Sequence, residues 1–368
     1  MLDLHSSLAK NSTLQIFITH KVYFFLEVAI VCCIFVFAKY NSTLMNLTVS
    51  IISKSEELPQ IECRDFFHST KMFRIAEKTP DFTPFMAIAQ REDGTVAAHL
   101  LATIRRRGSW IPPYLFTQGR IYGEGEYDAN VDKDEAFGLM LDAITAKFVR
   151  RLCLYVEFSN MSQKMFGYRH FRRNKYFPIN WQEVHNSLHS APPEERLADK
   201  MLQRIERTYA NGVETREIKN EQELDGFYRL LKNFYRTKIR RFMPPKELFE
   251  ELNKQGNARL FVTLYHGKII GGSACVYSDA NAYLWYMGSK RKSFPHLHPE
   301  RMTLWHAIKY AYDQHYRHIY FIDVGLPYPK NQYREFILSF GGKPVAKYRW
   351  FRFTFPWINR LLSWFYRE

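Results

Sequence analysis

One order of local patterns runs twice along this chain. Pro84 to Gly94 is an apolar strand-like run that ends in a glycine turn and leads into a second run, Thr95 to Ile104. Ala258 to Gly267 leads in the same way into Lys268 to Tyr277. An aromatic strand, a loop, a long helix and a buried apolar strand ending near a carboxylate follow each pair. Those carboxylates, Glu157 and Asp323, lie 166 residues apart (323 − 157). A unit repeated once implies two modules of one fold facing each other across a cleft, with room for a division of labour.

The chain's 368 residues suffice for two ordinary domains, and 46% of them are apolar, enough for a core in each half. Lys and Arg number 52 against 37 Asp and Glu, a formal charge of +15. That excess suits an anionic partner: tRNA, a phosphate-rich cofactor or an anionic membrane surface. A generally basic surface without a specific partner is the plainer reading. Five cysteines include no Cys-x-x-Cys, and Cys153 and Cys275 sit in apolar runs as small buried side chains. The pairs His296/His298 and His315/His318 have no clustered third ligand nearby, so no metal site is expected.

Four regions are expected. Residues 1–44 form an apolar N-terminal segment, 45–192 a first domain, 193–355 a second, and 356–368 an aromatic and basic tail. Residues 22–38 are apolar except for Glu27 and are bracketed by Lys21 and Lys39. The stretch is at the short edge of what spans a bilayer, and it lacks a clean signal-peptide cleavage site. It reads as a membrane anchor, as a spurious extension ahead of Met45, or as a buried helix. A cytoplasmic protein, anchored at the inner membrane if 22–38 spans, is the expectation.

A strand is expected over Leu47 to Ile52, and a helix from Ser53 with Ser55 as its cap. Arg105 to Ser109 reads as a hairpin tip or edge, and Tyr114 opens the next strand. Helical spacing of Phe137, Met140, Leu141, Ile144 and Phe148 predicts a helix over 133–150, and Leu152 to Phe158 reads as a buried strand. A helical connector is expected over 193–210, helices over 221–254 broken at Pro244-Pro245, a helix over Glu300 to His315 and a buried strand over His318 to Val324. Trp357, Ile358, Leu361, Leu362, Trp364 and Phe365 form either an interfacial helix face or a tail docked on its own domain.

The second half carries the more specific features. Arg207 to Val213 precedes an acidic stretch, and Phe227-Tyr-Arg-Leu-Leu opens a helix. Thr237 to Arg240 and Pro244-Pro245 come next, then Leu260 to Gly271, Tyr283-Leu-Trp-Tyr-Met-Gly288, Leu304 to Lys309, Phe321-Ile-Asp-Val-Gly325 and a closing Phe340-Gly-Gly342. In this order they resemble FemAB-like transferases and the acetyltransferase-like domains of the GNAT superfamily. With the first half, the resemblance covers about 47–355. It implies an α/β fold with mixed sheets in two tandem GNAT-like domains, and an enzyme that moves an acyl or aminoacyl group to an amine. The donor is implied as a co-substrate, acyl-CoA or aminoacyl-tRNA, with no tightly bound cofactor. The helical-hairpin insertion of some peptidoglycan-bridge enzymes is absent. The acceptor is expected to be an amine-bearing cell-envelope, lipid or sugar precursor. A non-catalytic binding protein with degenerate halves is the third reading.

In the GNAT fold the loop before the helix holds a pyrophosphate on backbone N–H groups and the helix dipole, with the pattern Arg/Gln-x-x-Gly-x-Gly/Ala. Arg120-Ile-Tyr-Gly123-Glu-Gly125 fits that pattern, although Glu124 and Glu126 would repel phosphate, so a structural turn is the competing reading. The second half has Lys290, Arg291 and Lys292 instead, which bind phosphate through side chains or form an exposed turn. Arg240 and Arg241 are further cationic candidates. Amine acylation needs a base, a polarised carbonyl and positioning. Asp323 reads as the first candidate base or as a structural carboxylate that caps a turn or pairs with Arg334 or Lys309, with Glu157 its counterpart in the first half; Tyr286 reads as a donor to a carbonyl or leaving group or as a core tyrosine.

Overall fold

The computed structural model describes residues 47–109, 114–236 and 243–366; the apolar stretch 22–38 and the pair Arg240 and Arg241 lie outside the described residues. The strands are β1 (Thr48–Ile52), β2 (Phe82–Gln90), β3 (Val96–Ser109), β4 (Tyr114–Tyr122), β5 (Glu126–Tyr127), β6 (Tyr155–Ser159) and β7 (Phe177–Ser187) in the first half. The second half contributes β8 (Val213–Glu217), β9 (Ala258–Tyr265), β10 (Lys268–Ser278), β11 (Asn281–Ser289), β12 (His318–Gly325) and β13 (Lys343–Phe353). The helices are α1 (Thr70–Lys78), α2 (Lys133–Arg150), α3 (Tyr168–Arg173), α4 (Asp199–Ala210), α5 (Glu221–Tyr235), α6 (Lys246–Asn253), α7 (Pro299–Asp313), α8 (Gln332–Leu338) and α9 (Pro356–Phe365).

All the strands join one mixed sheet in the order β1-β2-β3-β4-β6-β13-β7-β12-β11-β10-β9-β8, with β5 beside β3. Its only parallel pairs among the described residues are β4 with β6 and β11 with β12, the equivalent position in each half. The turns that start each half share a glycine with positive φ, in a two-residue loop in the second half and in a longer loop over Arg91–Thr95 in the first. His266 and Gly267 have φ of 46° and 72° in the two-residue loop between β9 and β10, and Gly94 has φ of 81° between β2 and β3. Paired positive φ values give a hairpin loop the twist of its flanking strands.

The halves exchange their last strands. β13 of the second half inserts between β6 and β7, and β7 of the first half inserts between β13 and β12. β7 and β13 are related by the offset that relates Glu157 to Asp323, and they pair antiparallel with Trp181 opposite Lys347, its own counterpart. A pseudo-twofold axis therefore passes between these two residues. The boundary at 192/193 falls just before the short 3₁₀ turn Pro193–Arg196, but Thr48–Glu368 forms one compact unit because the sheet runs through both halves. A shared core seals it: Phe73 and Met86 of the first half cluster with Phe227, Phe249 and Trp285 of the second.

Several expectations change. After Ser53 only one 3₁₀ turn forms, Ser55–Glu57, because Pro59 follows at once and cannot donate to a continuing helix. The helix that does form nearby is α1, whose first turn is capped by Ser69 accepting from the Met72 N–H. The run Arg105–Ser109 is not a hairpin tip; β3 continues through it, and Arg105 is buried.

Candidate active site

The two parallel pairs differ, and that difference makes the site. β4 and β6 stay paired along five consecutive positions, Gln118 with Tyr155 through Tyr122 with Ser159. β11 and β12 pair only from Asn281/His318 to Tyr283/Tyr320 and then part. Two irregularities drive them apart. Trp285 is an extra residue in β11, where the register with β10 jumps, and β12 shifts against β7 between Phe321 and Gly325. Bulges bend a strand and re-aim its side chains. Leu284 to Met287 on one arm and Phe321, Asp323 and Val324 on the other line a narrow V of about 10 Å³, on the carboxyl side of the last paired residues. Beside it lies a cavity of about 940 Å³ between the halves, lined by Arg105, Arg120, Tyr122 and Glu157 on one side and Trp285, Tyr286 and Asp323 on the other.

A line of alternating charges crosses this cavity. Asp323 is paired with Arg349 Nη2 at 3.1 Å, and Arg349 Nη1 donates to Glu157 Oε1 at 2.9 Å. Glu157 also pairs with Arg120 Nη1 and accepts from Gln118 Nε2 at 2.9 Å. The register puts Arg120 directly across the ladder from Glu157. Arg349 comes from β13, so strand exchange alone brings it here, and its guanidinium lies 3.8 Å over the Trp181 ring. Burying such charges costs several kcal/mol each unless every one is met by an opposite charge and hydrogen bonds. Glu157 meets that condition on both oxygens. Its side chain is 9% exposed, whereas that of Asp323 is 30% exposed. Burial works against the Arg120 charge, but Glu157 and then Tyr122 more than offset it and its pKa lies above the ordinary range.

Tyr122 ends β4 at the cavity wall, and its hydroxyl accepts from Trp285 Nε1 at 3.0 Å, a contact between the halves. Arg120 stacks 4.3 Å from its ring centroid and Arg105 5.7 Å. Burial pushes the phenol pKa up. Arg120 and Arg105, with the Trp285 hydrogen bond, outweigh that and bring it down to about 8. Sequence reasoning missed Tyr122, Arg105, Arg349 and Trp181. The signal for Tyr122 was the alternation Gln118, Arg120, Tyr122, which puts three polar side chains on one strand face.

Asp323, Tyr286, Glu157 and Arg120 are thus brought to one cavity. Tyr286 is buried, with its ring edge-to-face on Tyr235 and Phe249. Gly123 and Gly125 lie outside it. The Gly123 N–H donates to Ser159 O at 2.7 Å, and the Gly125 N–H points at His68 Nε2 3.1 Å away. The turn that fits the phosphate pattern is closed onto its own half, and Arg120 is committed to Glu157 and Ser159. Lys290, Arg291 and Lys292 are exposed in the turn that follows β11, at the end toward which the V opens.

Among the described residues, one cluster with ligand chemistry, Cys63, His99 and Glu126, stands outside the cavity, and linear spacing gives no sign of it. His99 Nε2 is 3.9 Å from Cys63 Sγ and 3.4 Å from Glu126 Oε1, while Glu126 also accepts the Arg64 and Asp65 N–H groups. Burial lowers the His99 pKa, but hydrogen bonds to Cys63 and Glu126 overcome it and raise it to about 9. An imidazolium held by a carboxylate accounts for the group.

Residues 198–335 match the family model of the acetyltransferase (GNAT) domain. No curated protein sequence matches the chain. Among solved structures, FemX aligns over 85% of this chain and 100% of its own, with TM-score 0.58 and 10% identity. A tandem GNAT protein from the clavulanic acid biosynthesis pathway, solved without AcCoA, aligns over 84% and 99%, with TM-score 0.55 and 9% identity. L-PGS from Bacillus licheniformis aligns over 84% and 100%, with TM-score 0.52 and 13% identity. The chain has a FemAB-like GNAT fold, in tandem, with mixed α/β layers. Among the described residues, no helix is long and apolar enough to cross a membrane.

Proposed function

We propose that the protein transfers an acyl group from an acyl-CoA thioester to an amine held in the cavity between the halves. The observation that carries this reading is the parting of β11 from β12 beside the cavity of about 940 Å³, which Asp323 lines with its side chain partly exposed. The tandem GNAT neighbour is described as a form without AcCoA, and that mention of a thioester supports such a donor here. Lys290, Arg291 and Lys292 stand where the donor's phosphates would emerge, just past the open end of β11. Cations at a strand's carboxyl end hold phosphate through their side chains when the turn offers no ladder of N–H groups.

The amine nitrogen attacks the thioester carbonyl carbon, forming C–N as C–S breaks. Asp323 takes the amine proton, directly or through one water, and Tyr286 returns a proton to the leaving thiolate. Tyr122 is a second proton carrier at the same wall, with a pKa suited to exchange near neutrality. Glu157 has both oxygens engaged, and its part is to hold Arg120 and Arg349 in place rather than to act as a base. Three arginines, Arg105, Arg120 and Arg349, face two carboxylates, Glu157 and Asp323, in this lining, and the excess of positive charge suits an acceptor that carries an acid or phosphate group.

Release of free thiol from acetyl-CoA, followed with an amine panel, tests the reaction. Turnover that needs an amine and falls at least tenfold in Asp323→Asn is the expected result. Silence with acetyl-CoA and transfer from charged tRNA would replace the donor with aminoacyl-tRNA, and salt-steep binding would accompany it. Silence with both donors would leave a binding protein.

A further inference from the structure

The C-terminal helix α9 turns its apolar face outward. Trp357, Leu361, Trp364 and Phe365 are 69%, 56%, 66% and 69% exposed, and Phe355 just before the helix is 50% exposed. Their spacing of three and four residues sets them on one stripe, with Arg360 among them. The opposite face is fixed. Asn359 donates to Lys175 O at 2.9 Å and accepts the Phe353 N–H at 2.8 Å, so the stripe cannot roll inward without breaking both bonds. Beside the helix lies an open groove of about 810 Å³ whose charged lining, among the described residues, is Arg172, Lys175, Arg352 and Arg360, with no carboxylate. Arg352 Nη1 is buried there with no partner among the described residues.

Large exposed aromatic and aliphatic side chains beside unopposed cations are the features of a segment that lies in a bilayer interface. Trp favours the headgroup level, and Lys and Arg are drawn to anionic lipid at the surface. We infer that α9 and its groove dock the protein on an anionic phospholipid membrane, the helix lying in the interface plane and the groove receiving a lipid phosphate. Phe353 lines both the groove and the central cavity, and Tyr366, at the end of α9, lines the cavity. Docking by this face therefore brings the cavity to the lipid surface. On the acyltransfer reading above, it makes the acceptor a membrane-borne amine.

Vesicle flotation of the full chain tests the docking apart from catalysis. The protein is expected to float with vesicles of equal parts phosphatidylcholine and phosphatidylglycerol, and not with phosphatidylcholine alone. The double variant Trp357→Ala/Trp364→Ala should weaken binding by at least about tenfold, and Arg360→Glu should weaken it in a way that rising salt mimics. All three positions are exposed, so circular dichroism should be unchanged. Acetyl-CoA turnover on a water-soluble amine should also be unchanged, so loss of that turnover in the parent protein sinks the chemistry but not the docking. Absence of binding to the anionic vesicles, as for a face that serves a protein partner, overturns the inference. Equal binding by parent and double variant overturns it as well.

Discussion

The two halves start from one template and end in different states. In the first, β4 and β6 are zipped together, the glycine turn is sealed by His68 and Ser159, and the carboxylate Glu157 is held on both oxygens. In the second, β11 and β12 splay, the turn after β11 exposes three cations, and Asp323 keeps part of its side chain in solvent. The causes are local: one extra residue at Trp285 and a register shift around Asp323. Duplication let one copy close into a wall. That wall supplies Arg105, Arg120 and Tyr122 to the cleft of the other copy.

The largest test of this contrast removes the link between the halves. Arg349→Met leaves Asp323 without its ion pair and Glu157 with only Arg120 as a charged partner. Breaking a buried pair from one side costs about 3–5 kcal/mol, so urea unfolding should show a loss of that order, while Arg349→Lys should recover part of it. Next come the two carboxylates. Asp323→Asn should lower kcat at least tenfold with little change in urea midpoint. Glu157→Gln should mainly lower the midpoint, because two buried guanidinium groups lose their shared charge. Equal behaviour of the two variants would end the claim that the halves differ in role.

Tyr122 sharpens the comparison through pH. Its pKa in the folded protein, about 8, lies below the ordinary 10. A depressed pKa favours the ionised form in the folded state, so its contribution is fully present above pH 10 and is lost as pH falls through 8. Absorbance titration should show one phenol ionising near pH 8, missing in Tyr122→Phe. The stability gap between parent and variant should widen in the parent's favour from pH 8 to 10.

The smallest effect contrasts the two turns. Replacing Lys290, Arg291 and Lys292 by Ala should weaken coenzyme A binding about tenfold or more and leave stability unchanged. Gly125→Ala should do the reverse, because its Cβ would come within 2.6 Å of His99 O at a φ of 97°.

How much of this was legible depended on where each segment gets its stabilisation. The helix over 133–150 was readable to the residue because its apolar spacing is strong and Asp132 caps it. The strand pairs, read as about 84–104 and 258–277, were legible because they are continuous apolar runs closed by turn glycines. β7 and β13 were not. Phe177 to Ser187 and Lys343 to Phe353 mix charged, amide and aromatic residues, and they become strands only because each is flanked on both sides by partners far away in sequence. The charge line shared that fate. Glu157 and Asp323 were visible as strand-end carboxylates, but Arg349, which joins them, reaches the site through an exchange that no local pattern encodes.

Amide hydrogen exchange with and without coenzyme A most directly tests whether one half holds the donor and the other walls it. The account predicts new protection at 284–287, 290–294 and 321–324, with 118–125 and 155–159 unchanged. Protection centred on Gly123 and Gly125, or equal protection in both halves, would contradict it.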